Sequence, residues 1–295
     1  MQIRNILAAV DLGGDTERIL AYSVWLARHF TPASIHLLHV IEYSATPPAY
    51  IIPYIQQEKE RDEAELAGLS GMIGRHGVPS GHTIAVGHLI ESFTTAIRDL
   101  ASDMLVTGFW SHMVRPSSSE RLIKNLTVPL FVVRGEKSES ALVGGVSPRR
   151  VLCAIDFSEN ALRALEFAKS LIRCGGADPA APRELTVLHV VGTQDIEKSL
   201  RGWQDISDDR RKGYGRDLAQ GAERQVADLL QGCPFAEGIV RSGVAHKVIG
   251  ELCRERDTDL IVMGARGLSY IGGILLGSVS EAVLKSSPCP VVIVR

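Results

Sequence analysis

The chain has 295 residues, of which 45% are hydrophobic and 22% charged, and its 32 basic and 34 acidic side chains leave a net charge of −2. That balance offers no basic footprint for nucleic acid or for an anionic membrane surface, and no apolar run approaches the length of a membrane span. The amino terminus runs directly into a strand and meets Asp11, which leaves no room for the apolar core of a signal peptide, so a cytoplasmic protein is expected.

In chain order, Ile6-Leu7-Ala8-Ala9-Val10-Asp11 reads as a short buried strand and Leu37-Leu38-His39-Val40 as a second. His39 has no acidic or cysteine neighbour in sequence and reads as a packed strand histidine. The segment from Tyr43 to Tyr54, rich in proline and aromatic residues, is read as a surface for a partner or a second subunit. Gln56 to Glu63 is a charged run, read as the solvated face of a helix. His82, His88 and His112 are scattered without metal-ligand spacing, so no metal site is assigned to them. Asp103 to Gly108 forms a further apolar strand, and Gly108-Phe109-Trp110-Ser111, Pro116 and the helix-start pattern Ser117-Ser118-Ser119-Glu120 follow it. Val128-Pro129-Leu130-Phe131-Val132-Val133-Arg134 completes the set.

Gly135 to Ser140, continuing through Gly144-Gly145 to Pro148, is polar and small, as a linker is. Beyond it the landmarks return in the same order: Val151 to Asp156, Val187-Leu188-His189-Val190, Asp259 to Gly264, and Cys289-Pro290-Val291-Val292-Ile293-Val294-Arg295. Two copies of one domain follow, 1–138 and 139–295, with the boundary near Ser140. Between the strands lie helix-period segments such as Ala161, Leu162, Leu165, Ala168, Leu171 and Ile172. Alternating strands and helices predict an α/β fold with an open parallel sheet covered on both faces. All five cysteines, Cys153, Cys174, Cys233, Cys253 and Cys289, fall in the second copy without CxxC spacing, and reduced thiols are the expectation.

The chemistry concentrates in Gly264-Ala265-Arg266-Gly267, nine further residues, then Gly277-Ser278. The apolar run Asp259 to Met263 precedes it, and Ser278-Val279-Ser280-Glu281 fits a capping box, so the glycines lie where a buried strand hands over to a helix. The amides and positive dipole end of such a junction suit a phosphate. No GxxxxGK[ST] and no GxGxxG after a first strand occurs, which removes the Walker and dinucleotide classes.

Over residues 264–295 this pattern resembles the ATP-binding type of universal stress protein domain, whose signature is glycine, two residues, glycine, nine residues, glycine, Ser/Thr. The resemblance implies a tandem member with five strands per domain in the doubly wound order 3-2-1-4-5. Strands one and four are then neighbours, and Asp156 and Gly264 meet at the point where such sheets bind ligands. It implies ATP with adenine against Ala154, Asp156 and Val190, and ribose and phosphates crossing Met263 and Gly264. Gly267 would admit the ligand backbone, and the amides of Gly277, Ser278 and Val279 would face the phosphates. Arg266 either assists by charge or faces solvent. Mg2+ is expected between phosphate oxygens, without protein ligands.

No base or lysine stands in the motif, so no catalytic residue is assigned and the expected role is an ATP-binding stress regulator. Two alternatives remain: a slow ATPase or self-phosphorylating phosphotransferase using the same pocket, and a nucleotide-free scaffold for protein partners. The first copy keeps Asp11 and Val40 but has lost the second glycine and carries Pro116, which lacks an N–H, opposite Gly277, so it is expected not to bind ATP. Pairing of the two copies through their last strands, Pro129 to Val133 and Pro290 to Val294, is expected, with a homodimer as a further possible assembly.

Overall fold

The structure is a computed structural model that describes residues 2–43, 52–109, 118–135, 146, 148–174, 184–192, 208–267 and 276–295. The chain divides into two compact units, Met1–Ser147 and Pro148–Arg295. Ser140, Trp110 to Ser117 and most of the Tyr43 to Tyr54 segment lie outside the described residues.

Unit 1 contains β1 (Asn5–Ala9), α1 (Thr16–His29), β2 (Ser34–Glu42), α2 (Ile52–Arg75), β3 (Ser80–Gly87), α3 (Leu89–Asp99), β4 (Met104–Gly108), α4 (Ser118–Asn125) and β5 (Leu130–Val133). Its strands are all parallel and lie in the order β3-β2-β1-β4-β5. Every residue of β4 and β5 is buried, as strands covered on both faces are. Trp25 and Tyr22 of α1 pack on Phe131 of β5, with ring centroids 6.3 and 5.2 Å away.

Unit 2 repeats the plan with β6 (Arg150–Ile155), α5 (Glu159–Cys174), β7 (Glu184–Gly192), α6 (Asp208–Leu229), β8 (Ala236–Gly243), α7 (Ala245–Glu255), β9 (Leu260–Gly264), α8 (Ser278–Ser286) and β10 (Val291–Val294). Its parallel order is β8-β7-β6-β9-β10, which is 3-2-1-4-5 counted within the unit. Ala161, Leu165, Ala168 and Leu171 of the predicted helical stripe are buried, together with Ala164 and Phe167, while Leu162 and Ile172 are half-buried.

The repeat extends to single hydrogen bonds. Asp103 Oδ2 accepts the backbone N–H groups of Arg4 and Asn5 at 2.8 and 2.9 Å, and Asp259 Oδ2 accepts those of Arg149 and Arg150 at 3.0 Å each. In each unit one carboxylate before the fourth strand therefore satisfies the donors at the start of the first. Leu12 and Phe157, each following the landmark aspartate, both hold positive φ, 57° and 63°. The first loop thus turns through the same sparsely populated conformation in both units.

Candidate functional site

The site in unit 2 is built where β6 and β9 lie side by side. Their register sets Ala154 opposite Met263, and Ile155 of β6 pairs with His189 of β7, so Asp156 and Val190 come next in line at the strand ends. Ala154 is half-buried while its neighbours Cys153 and Ile155 are buried; Met263 is buried and Val190 half-buried. Ala154, Met263, Asp156 and Val190 therefore lie close together towards the C-terminal ends of neighbouring parallel strands.

Asp156 is held rather than loose. Its Oδ1 accepts the Ser158 backbone N–H at 3.1 Å and the Ser158 hydroxyl, an Asx-type turn. Ser158 Oγ in turn accepts the Ala161 N–H at 3.3 Å, capping α5, and lies 3.3 Å from the Arg266 carbonyl oxygen. Sequence reasoning passed over Ser158; the Asp-x-Ser spacing before a helix was the available signal. Across the crevice Gly267 is exposed, and a Cβ placed on it would overlap Asp156 Oδ2. Glycine at 267 therefore makes room for the aspartate.

The other two glycines are placed differently. A Cβ at Gly264 would come within 2.9 Å of the Ala161 nitrogen and of the Asn160 carbonyl carbon, so only glycine fits against the backbone at the start of α5. Gly277 donates its N–H to the Ala265 carbonyl at 2.7 Å and closes the loop neck, so its amide is not directed at a phosphate. The N-cap of α8 is Gly277, with φ −76° and ψ 156°, and no side-chain cap hydrogen bond forms. The capping-box expectation at Ser278 is thus corrected: Ser278 is the first helical residue and exposed, and Glu281 pairs with Lys285 one turn on at 2.9 Å. Val279 beside it is 37% exposed. Ser280, buried, sends its hydroxyl back to the Gly264 carbonyl at 2.9 Å and ties helix to strand, a role the sequence did not announce.

Charge at this mouth is positive. Arg266 is half-buried, and Arg295, the residue after β10, has its guanidinium lowered to about 10 by burial first and by the nearby Arg266 second. Arg295 stays cationic at neutral pH, and its nearest charged neighbour is Arg266 in the loop that carries Gly267. His189 donates from Nδ1 to the Ile155 carbonyl at 3.0 Å and its ring lies 4.5 Å from that of Phe157, which fits the packed-histidine reading. Among the described residues no cluster of three or more His, Cys, Asp or Glu could hold a metal ion.

In unit 1 the same crevice is differently furnished. Asp11 keeps its turn, accepting the Gly13 N–H at 3.0 Å, but Gly13 has no hydroxyl to match Ser158. Glu42 at the end of β2 takes a two-pronged pair from Arg121 of α4, both contacts at 2.8 Å, and also the Leu89 N–H at the start of α3, at 3.4 Å. Gly192 and Ala282 stand at these positions in unit 2, so no such clamp can form there. Arg134, the counterpart of Arg295, lies over the Phe109 ring at 5.1 Å.

One expectation for unit 1, the solvated run, is corrected as well. His39 donates from Nδ1 to Val10 at 2.9 Å, and its Nε2 stands 3.5 Å from Asp62 of α2, an acidic partner far away in sequence. Asp62 belongs to the run read as solvated, yet it is 2% exposed because α2 lies over β2 and β3 and carries this one residue of the run inward. Pro116, expected opposite Gly277, lies outside the described residues.

Comparison with known proteins accords with this geometry. The family model described as Universal stress protein family matches twice, over residues 2–134 and 148–295. A universal stress protein of Thermus aquaticus is 34% identical over 155 residues, covering 50% of this chain and 98% of its own length. One from Bacillus subtilis is 33% identical over 155 residues, covering 50% of this chain and 98% of its own. Among solved structures, a universal stress protein from Archaeoglobus fulgidus superposes with a TM-score of 0.70 at 22% identity, covering 99% of this chain and 96% of its own, a likeness of fold. Among the described residues, no helix is long and apolar enough to cross a membrane.

Proposed function

This chain is a tandem member of the universal stress protein family, and we propose that it is a stress regulator holding one ATP, with Mg2+, in the crevice of unit 2. The reading is supported by the exposed, side-chain-uncapped helix N-terminus at Ser278 and Val279, the neighbouring charges of Arg266 and Arg295, and the Asp156 carboxylate beside Gly267. Anionic phosphates suit the first two and a purine amino group suits the third. The Gly277 amide takes no part, since Ala265 already holds it. Mg2+ would ride on phosphate oxygens and water, because the described residues around the crevice offer it no protein cage.

Binding is favoured over turnover by the state of Asp156. Its Oδ1 is committed to Ser158, and a phosphoryl-transfer enzyme needs a carboxylate or similar group oriented on the nucleophile. On the likeness of the two last strands in sequence alone, we also propose that they hold the halves together in the cytoplasmic protein.

Mass spectrometry of small molecules released from the purified, denatured chain tests the reading. An adenine nucleotide at no more than one per chain is expected. Failure to carry or take up any nucleotide, even in millimolar Mg-ATP, would transfer support to the scaffold alternative.

A further inference from the structure

Away from the crevice, two thiols lie against each other. Cys253, in the last turn of α7, and Cys289, just ahead of β10, have their Sγ atoms 3.5 Å apart, and each residue is 1% exposed. The two are 36 residues apart in sequence, and the segment between them contains β9, Gly264, Gly267, Gly277 and all of α8. A bond between these sulfurs would close that whole segment into a loop. The Cys289 end is itself fixed, since the Ser287 hydroxyl donates to the Cys289 carbonyl at 2.7 Å and accepts the Cys289 N–H at 3.3 Å. The Cys253 end is held as well, its carbonyl accepting the Thr258 N–H at 2.9 Å, so a small oxidant enters by a local opening of the helix end.

We propose that Cys253 and Cys289 are a reversible disulfide site, oxidised by hydroperoxides, that staples the segment carrying the candidate phosphate cradle. In the first step one thiol sulfur attacks the peroxide, the O–O bond breaks, and a sulfenic acid and one water form from hydrogen peroxide. In the second the partner thiol attacks the sulfenyl sulfur, the S–S bond forms, the S–O bond breaks, and the hydroxyl leaves with the thiol proton as a second water. Two thiols are oxidised and one peroxide is reduced. A dithiol reductant reverses it by exchange. Contact between the sulfurs gives the second step its advantage over further oxidation, because the resolving thiol is already in place. The proposal stands whether or not a nucleotide occupies the crevice.

The test treats the full-length chain with hydrogen peroxide under native conditions, then alkylates it after denaturation and maps peptides. The expected result is a Cys253–Cys289 cross-linked pair, lighter by two hydrogens and restored by dithiothreitol, which also forms in Cys233→Ser and raises the midpoint of thermal unfolding in a reductant-sensitive way. Cys289→Ser and Cys253→Ala, each checked for native circular dichroism, should lose both the cross-link and the shift. Five alkylated cysteines after peroxide, a cross-link to Cys153, Cys174 or Cys233 instead, or a cross-link with no change in unfolding would each overturn it.

Discussion

Asp156 Oδ2 occupies the space that a side chain on residue 267 would need. Because Ser158 fixes the other carboxylate oxygen, the aspartate has little freedom to yield. Gly267→Ala is therefore expected to weaken nucleotide binding by about tenfold or more and to cost about 1–3 kcal/mol of stability. In the double variant with Asp156→Ala the stability loss should be smaller than the sum of the two single losses. A double-mutant cycle by chemical denaturation reads this directly, and simple additivity would contradict the contact.

The glycines that end the fourth strands differ in what surrounds them. Gly264 faces α5 backbone atoms at 2.9 Å, whereas Gly108 faces the Asp15 side chain at 3.3 Å and Ile19 at 3.5 Å. Backbone cannot step aside as a side chain can, so Gly264→Ala should destabilise by about 1–3 kcal/mol and Gly108→Ala by clearly less. Urea midpoints of the two variants, compared with the parent, decide it; equal losses would refute the distinction.

Glu42 carries the pH dependence of the unit 1 clamp. Its hydrogen bonds from Arg121 hold the carboxyl below the usual glutamate range, against an opposing effect of burial. A depressed carboxylate contributes its stabilisation above the unfolded-state value and loses it as pH falls through the folded one. By NMR titration Glu42 should therefore ionise below an ordinary glutamate, and in Arg121→Ala its midpoint should rise towards the ordinary value. An unmoved midpoint would show that Arg121 does not hold it.

Cutting the linker around Ser140 checks the proposed pairing of the last strands. The two fragments are expected to co-elute on gel filtration under native conditions. Their separation would remove the proposal.

Much of the fold was legible because parallel inner strands read as unbroken apolar runs, and such runs as Leu260 to Met263 recur at matching places in both copies. The candidate site was legible where a glycine or a landmark aspartate marks a strand end. What the sequence withheld are contacts between residues far apart along the chain: Asp62 under His39, Arg121 on Glu42, Ser280 on Gly264. Each looks like an ordinary surface or cap residue until tertiary packing brings its partner. Gly277 shows the converse, since its place in the motif was plain but the bond that uses its amide depends on how the loop closes on Ala265.

The central claim is one nucleotide per chain, held in unit 2, and isothermal calorimetry of the full-length protein with Mg-ATP tests it most directly. The account predicts a single site per chain, with binding abolished in Gly277→Val, where the added methyl groups crowd the Ala265 carbonyl, 3.4 Å from the Cβ position, and the start of α8. Two equivalent sites per chain, or unchanged binding in a folded Gly277→Val protein, would contradict it.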